Sequence, residues 1–216
     1  IKQLNFLPIN IKQKVLSDLK NICRTKKIKK LNLKDTPLVM GILNLTPDSF
    51  SDGGKFNSYK QALELAKKFK KYNCDIIDLG AESTRPGSRD VKIIDEWNRL
   101  RRPLKKISKL NQFISVDTRK SLIMNKALKY KINLINDISG FTDLKMQDVV
   151  ASHKPACLVM HRQGDALTMQ DSPQYSDVID EISAFFKQQI RCLQSKGISS
   201  IVLDPGIGFG KRLEHN

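Results

Sequence analysis

Six short apolar runs recur along this chain, and each is closed by polar, charged or Gly-rich residues. The runs cover residues 38–43, 76–79, 113–116, 134–138, 157–160 and 201–203. The residues that close them are 44–48, 82–87, 117–119, 136–140, 161–164 and 204–206. Short apolar runs bounded by turn formers read as buried strands. Helix-like stretches separate them, and strand–helix alternation argues for parallel strands joined by right-handed crossovers. An open doubly wound sheet would gather its chemistry at one switch point. Here chemistry-bearing residues follow every run, as at the carboxyl ends of barrel strands. The predicted fold class is α/β, a (β/α)8 TIM barrel with about six of its eight units in these 216 residues.

The intervening segments carry helical stripes. Ala62, Leu65, Ala66 and Phe69 share one face of a helix over 58–72. Ile94, Trp97, Leu100, Leu104 and Ile107 form another, in which Pro103 predicts a kink or a break. Residues 120–130 and 143–153 read as shorter helices. The longest spans 178–196, with Ile182, Phe185, Phe186, Ile190 and Leu193 inward and Gly197 as its stop. Residues 1–35 are different: Ile11, Val15, Leu19 and Ile22 mark an amphipathic helix, and 24–30 is a basic connector. The expected organisation is therefore a basic extension or linker over 1–35 and a barrel domain over 36–216. The chain starts at Ile1 and stops at Asn216 where a new helix has barely begun, which reads as a fragment of a longer barrel.

Charge and cysteine content exclude several classes. The formal charge is +16, and residues 1–34 hold ten Lys/Arg against one Asp, a local excess of +9. No aromatic nucleic-acid platform accompanies this excess, so a solvated basic segment is expected and no nucleic-acid partner. No apolar stretch approaches the ~20 residues of a membrane span. The four cysteines form no Cys-x-x-Cys pair and read as reduced and structural, in a cytoplasmic protein. Three histidines argue against a His-rich metal site.

The polar closures carry the chemistry. Asn44 stands at a strand tip and offers an amide oxygen suited to Mg²⁺. Gly53-Gly54 would hinge a mobile loop after it. Thr84 and Arg85 offer a hydroxyl and a guanidinium that can hold a phosphate. Asp117, Asn136 and Asp204 close three strands at equivalent places. Singly each reads as an N-cap of the next helix. Together they match a flat heterocycle with adjacent N–H and C=O groups. The glycines of 206–210 are spaced wrongly for a dinucleotide fingerprint. They let backbone approach a ligand, with Lys211 nearby to meet anionic charge.

At these residues the chain resembles the dihydropteroate synthases. The motifs are Met40-Gly41-Ile42-Leu43-Asn44-Leu45-Thr46-Pro47-Asp48-Ser49-Phe50-Ser51-Asp52-Gly53-Gly54, Asp78-Leu79-Gly80-Ala81-Glu82-Ser83-Thr84-Arg85-Pro86-Gly87, Ser115-Val116-Asp117-Thr118, Ile135-Asn136-Asp137, Met160-His161 with Gln163-Gly164, and Asp204-Pro205-Gly206-Ile207-Gly208-Phe209-Gly210-Lys211. The resemblance implies a Mg²⁺-dependent, sulfonamide-sensitive transferase of folate biosynthesis. It would join 6-hydroxymethyl-7,8-dihydropterin pyrophosphate to p-aminobenzoate, releasing pyrophosphate. By the same resemblance Asp117, Asn136 and Asp204 bind the pterin with Met160 packing beside them, and Asn44 meets the metal. Thr84, Arg85 and Lys211 lie with the substrate, Asp117 and Arg85 carry the catalytic roles, and Phe50, Pro86 and Phe209 shape the aminobenzoate site. A homodimer is implied, and an upstream pterin pyrophosphokinase fusion is compatible with the basic extension.

Two features of the family are missing. Its Ser-Arg-Lys and Arg-x-His motifs have no match here, so the expected barrel is open and its activity poor. The competing readings are a pterin-binding methyltransferase domain of the same fold and an inactive barrel remnant or basic scaffold that binds nucleic acid.

Overall fold

The computed structural model describes residues 7–23, 26–33, 37–46, 54–83 and 87–216. It divides into two compact units, Ile1–Pro37 and Leu38–Asn216. In the first, helix α1 (Ile9–Cys23) precedes a two-stranded antiparallel hairpin, β1 (Lys26–Ile28) and β2 (Leu31–Leu33). The sequence reading made residues 24–30 a connector, and the hairpin corrects it. Lys29 adopts a left-handed φ of 52°, which lets a two-residue turn pair Ile28 with Leu31.

The second unit alternates strands and helices. Its strands are β3 (Met40–Asn44), β4 (Ile76–Gly80), β5 (Phe113–Asp117), β6 (Leu134–Asp137), β7 (Ala156–Met160) and β8 (Ile201–Asp204). All five neighbouring pairs are parallel, and the spatial order is the chain order. A doubly wound sheet reverses its order at a switch point; this one never does. The helices are α2 (Gly54–Lys71), α3 (Ile93–Ile107), α4 (Ser121–Ala127), α5 (Leu144–His153) and α6 (Val178–Ser195).

All of these helices pack on one face. Leu43, Ile77, Leu79, Ile114, Val116, Ile135, Cys157 and Val159 form a single cluster with Ala62, Ala66, Leu100, Leu104, Met124, Val150 and Leu193 from the helices. The opposite strand positions point inward, as period-2 alternation requires. This is the (β/α) barrel plan, with β3 and β8 as the edges of the sheet. The inner-face Ile42 on edge strand β3 is accordingly 62% exposed.

Two sequence expectations shift. Helix α3 runs unbroken through Pro103, which is buried with Leu100, Leu104 and Ile107. The ring lies on the apolar stripe, so its burial offsets the hydrogen bond a proline cannot make. Helix α2 begins at Gly54, so the loop after β3 is shorter than expected and Gly54 belongs to the first helical turn. The first turn of a helix needs no intrahelical N–H partner, which removes the cost of starting there.

The middle of the helix-facing core and the edge of the sheet differ in what truncation costs. Leu104 is fully buried in the interlayer core, whereas Leu203 on β8 is 42% exposed. Leu104→Ala is expected to lose about 2–5 kcal/mol and Leu203→Ala under ~1 kcal/mol. Urea denaturation of the two variants checks the difference, and equal losses would contradict the place of β8 at the edge of the sheet.

Candidate active site

Strand register builds the site. Asn44 pairs with Gly80, Gly80 with Asp117, and Asp117 with Asn136. Residues paired in a parallel ladder face the same side, so these four form one row across the carboxyl end of the inner face. One step toward the amino end, Asp78 pairs with Ser115. One step further out, Met160 pairs with Asp204. The buried Met160 thus sits between the Asn136 row and Asp204 as the apolar wall.

Gly80 keeps the row open. A Cβ there would stand 3.4 Å from Asp117 Oδ2 and 3.7 Å from Asn44 Oδ1. The absent methyl is the space between a carboxylate and an amide. Below it, Asn136 Nδ2 donates to Asp78 Oδ2 at 3.2 Å. Asp78 Oδ1, Ser115 Oγ and Asp117 Oδ1 are buried and have no hydrogen-bond partner among the described residues. Buried polar atoms are almost always paired, and leaving one unpaired costs about 1–3 kcal/mol. Three such atoms on one inner face leave hydrogen-bonding capacity that the described residues do not use.

The electrostatics agree. Burial pushes the Asp117 carboxyl well above its ordinary range, and repulsion from Asp78, Asp137, Glu96 and Glu82 adds to the rise. Burial raises Asp78 as well, softened by the nearby Ser115 hydroxyl, which stops short of a hydrogen bond, and by the Asn136 amide. Two coupled carboxyls on a dry face do not both ionise readily. A ligand bringing N–H donors relieves both.

A second network holds the rim. Lys120 Nζ donates to Glu82 Oε1 at 2.7 Å, to Glu96 Oε2 at 2.8 Å and to the Val91 carbonyl at 2.8 Å. Thr118 Oγ1 donates to the other Glu96 oxygen at 2.6 Å, and the Val91 N–H to Glu82 at 2.8 Å. Arg119 pairs with Glu82 and Asp90. These contacts tie the loop after β4 to the loop after β5. The Gly87 N–H donates to the Ala166 carbonyl at 2.7 Å, joining the β4 loop to the β7 loop as well. Asp137 stays out of the cavity: it accepts from the Ser139 N–H and hydroxyl and from the Phe141 N–H.

Of the residues expected from sequence, Asn44, Asp117, Asn136, Met160 and Asp204 converge on the inner face at the strand ends. Asp204 accepts from the Gly206 N–H at 2.8 Å, which starts the Gly-rich loop. Phe209 is half-buried in that loop. Phe50, Thr84, Arg85 and Pro86 lie outside the described residues. Lys211 is buried against carbonyls rather than aimed at open space. Asp78 and Ser115 stand in the motifs with no role assigned to them, and Lys120 lies outside the motifs. Asp78 and Ser115 are hidden inside apolar strands, where only the period-2 parity with Asp117 could have exposed them.

The comparisons with known proteins follow the geometry. Residues 40–216 match the model of a family described as pterin binding enzyme. The chain belongs to the pterin-binding enzymes. It is 42% identical over 184 residues to dihydropteroate synthase of Escherichia coli strain K12, covering 83% of this chain and 65% of that protein. The chain thus spans just under two thirds of the length of that relative. A Yersinia pestis dihydropteroate synthase solved in a sulfonamide drug complex superposes with a TM-score of 0.80 at 37% identity, over 89% of this chain and 72% of that one. The Thermus thermophilus dihydropteroate synthase in complex with 4-aminobenzoate gives 0.77 at 40% identity, over 89% and 70%. The resemblance to this family and the TIM-barrel class both stand. Among the described residues, no helix is long and apolar enough to cross a membrane.

Two outcomes test the site's physics. Lys120→Met leaves buried Glu96 with no paired cation among the described residues, while Glu82 keeps Arg119, and should cost about 3–5 kcal/mol in chemical denaturation; a loss under ~1 kcal/mol would show the network idle. Asp117 binds its proton more tightly folded than unfolded. The folded state therefore loses stability as pH rises from the ordinary 3.8 through the raised value. Asp117→Asn should melt higher than the parent at neutral pH, with the gap closing near pH 4. A variant less stable than the parent at pH 7.5 would overturn this.

Proposed function

We propose that this barrel binds 6-hydroxymethyl-7,8-dihydropterin pyrophosphate and joins it to p-aminobenzoate, giving 7,8-dihydropteroate and pyrophosphate. The observation carrying the reading is the set of orphan buried oxygens on Asp78, Ser115 and Asp117 beside the Asn136 amide. A pterin's flat ring presents adjacent N–H and C=O groups. Carboxylates accept from the former, and an amide or hydroxyl serves both. Met160 supplies the apolar contact for the ring face.

In the reaction the bond from the pterin methylene to the pyrophosphate oxygen breaks, and its electron pair leaves with pyrophosphate. The aminobenzoate nitrogen gives its lone pair to that carbon and then sheds a proton to solvent. Positive charge develops on the methylene and the ring. The Asp117 carboxylate, held in a water-poor site, stabilises that charge more than it would in water. Dry walls on the inner face also keep water from taking the carbon before the amine does.

Mg²⁺ fits this site through few protein ligands. Among the described residues no cage of three or more His, Cys, Asp or Glu forms. Asn44 Oδ1, beside the gap over Gly80, is the donor available. Mg²⁺ commonly uses one or two protein oxygens and otherwise substrate phosphates and water. When bound, the ion would neutralise charge on the departing pyrophosphate. Thr84 and Arg85 are proposed to hold the same group, and Phe50, Pro86 and Phe209 to flank the aminobenzoate. A sulfonamide, which shares the aniline ring, would compete there; the Yersinia pestis dihydropteroate synthase was solved in a complex with a sulfonamide drug.

Calorimetry with a bare hydroxymethylpterin and with its pyrophosphate ester, each with Mg²⁺, tests the reading. Asp204→Ala should lower affinity for both at least tenfold, the scale of a lost charged hydrogen bond. Asn44→Ala should lower it for the ester alone. Absence of any pterin affinity in the unmodified chain, or equal losses for both ligands in Asn44→Ala, would defeat the assignment.

A further inference from the structure

Lys211 closes the Gly-rich loop that carries Phe209, and its ammonium is already spent. It donates to the Gly206 carbonyl at 3.1 Å, the Phe209 carbonyl at 3.1 Å, the His161 carbonyl at 3.4 Å and His161 Nδ1 at 3.2 Å. An ammonium has three N–H donors. Four acceptors surround it, the side chain is 4% exposed, and no carboxylate lies in salt-bridge contact with it among the described residues. Such a group has no donor left for a substrate anion.

Its partners show what it does. The loop lies backbone to backbone on the strand-end segment after β7. A Cβ on Gly206 would be 2.0 Å from the His161 carbonyl oxygen, and one on Gly210 would be 2.5 Å from that of Gln163. Apposed carbonyls repel, and a buried cation among them turns that repulsion into attraction. The Tyr175 hydroxyl adds a bond to the Gly210 carbonyl at 2.8 Å. Phe209 N–H bonds back to the Gly206 carbonyl at 3.0 Å. Asp204 is tied into the same turn through the Gly206 N–H.

We propose that Lys211 is a positioning residue: it clamps the 205–211 loop onto residues 161–163 and so fixes Phe209 against the aryl amine, while Asp204 keeps its place from the strand ladder. This rests on the proposed reaction only for the identity of the ligands. The clamp requires His161 to accept at Nδ1 and hence to be neutral. Burial and the Lys211 charge push the His161 imidazole down to about 4, against a small opposing pull from Glu181.

Lys211→Met is the test, read three ways in the full chain. Calorimetry compares p-aminobenzoate with uncharged p-aminobenzamide. Affinity for both should fall about tenfold, while bare pterin changes no more than about twofold. Amide exchange at Phe209 should speed up by about tenfold or more. The His161 titration, followed by NMR, should move upward from about 4. In the unmodified chain, nitrogen shifts at pH 7 should show Nδ1 without a proton, a measurement that holds even where the variant fails to fold. A loss confined to the charged aminobenzoate, or a protonated Nδ1 at pH 7, would overturn the proposal. So would unchanged exchange together with an unchanged titration. If the unmodified chain binds neither ligand, the proposed reaction falls, and the exchange and titration alone decide the role of Lys211.

Discussion

Residues paired across parallel strands point to the same side, and that rule puts Asn44, Gly80, Asp117 and Asn136 in one row. Everything else follows from which side is dry. The outer face is committed to the helices through Leu43, Leu79, Val116, Ile135 and Val159. The alternate positions must then face inward, whatever they are. Asp78 and Asp117 are held on that inner face by the apolar burial of their own neighbours in sequence. The helix-facing core fixes the carboxyls in an environment that disfavours their charge.

Much of this was legible in the sequence because strands announce themselves twice, by an apolar run and by an abrupt polar end. The strand ends at Asn44, Asp117, Asn136 and Asp204 were placed to within a residue or two. What pattern could not show was the partnership of distant charges. Nothing local to Glu96 says that it accepts from Thr118 and Lys120, or that it is wholly buried. Lys211 shows a related limit, since its His161 partners lie fifty residues away in the chain. A lysine next to glycines suggests a free cation at a phosphate, but a buried loop has carbonyls of its own to neutralise. The hairpin at 26–33 was obscured by its lysines, whose charge suggested solvent and hid a two-residue turn.

The two cationic clamps serve different edges of one pocket. Lys120 draws together the loops after β4 and β5 through carboxylates, and Lys211 draws the loop after β8 onto that after β7 through carbonyls. The first is an ion-pair network whose loss leaves buried charge unpaired. The second holds neutral dipoles, so its loss loosens geometry more than it unbalances charge.

Gly80 has a consequence for how a barrel of this kind can change. Its missing Cβ would meet Asp117 and Asn44 at 3.4 Å and 3.7 Å, ordinary contact distances. The scaffold could therefore accept alanine without moving, and the added methyl would fill the space between Asp117 Oδ2 and Asn44 Oδ1. One carbon atom separates a vessel from a plug of the same shape. Folding exerts no pressure to keep that atom out, so only occupancy by a ligand can. A lineage that ceased to use the cavity would be free to seal it and remain a sound protein.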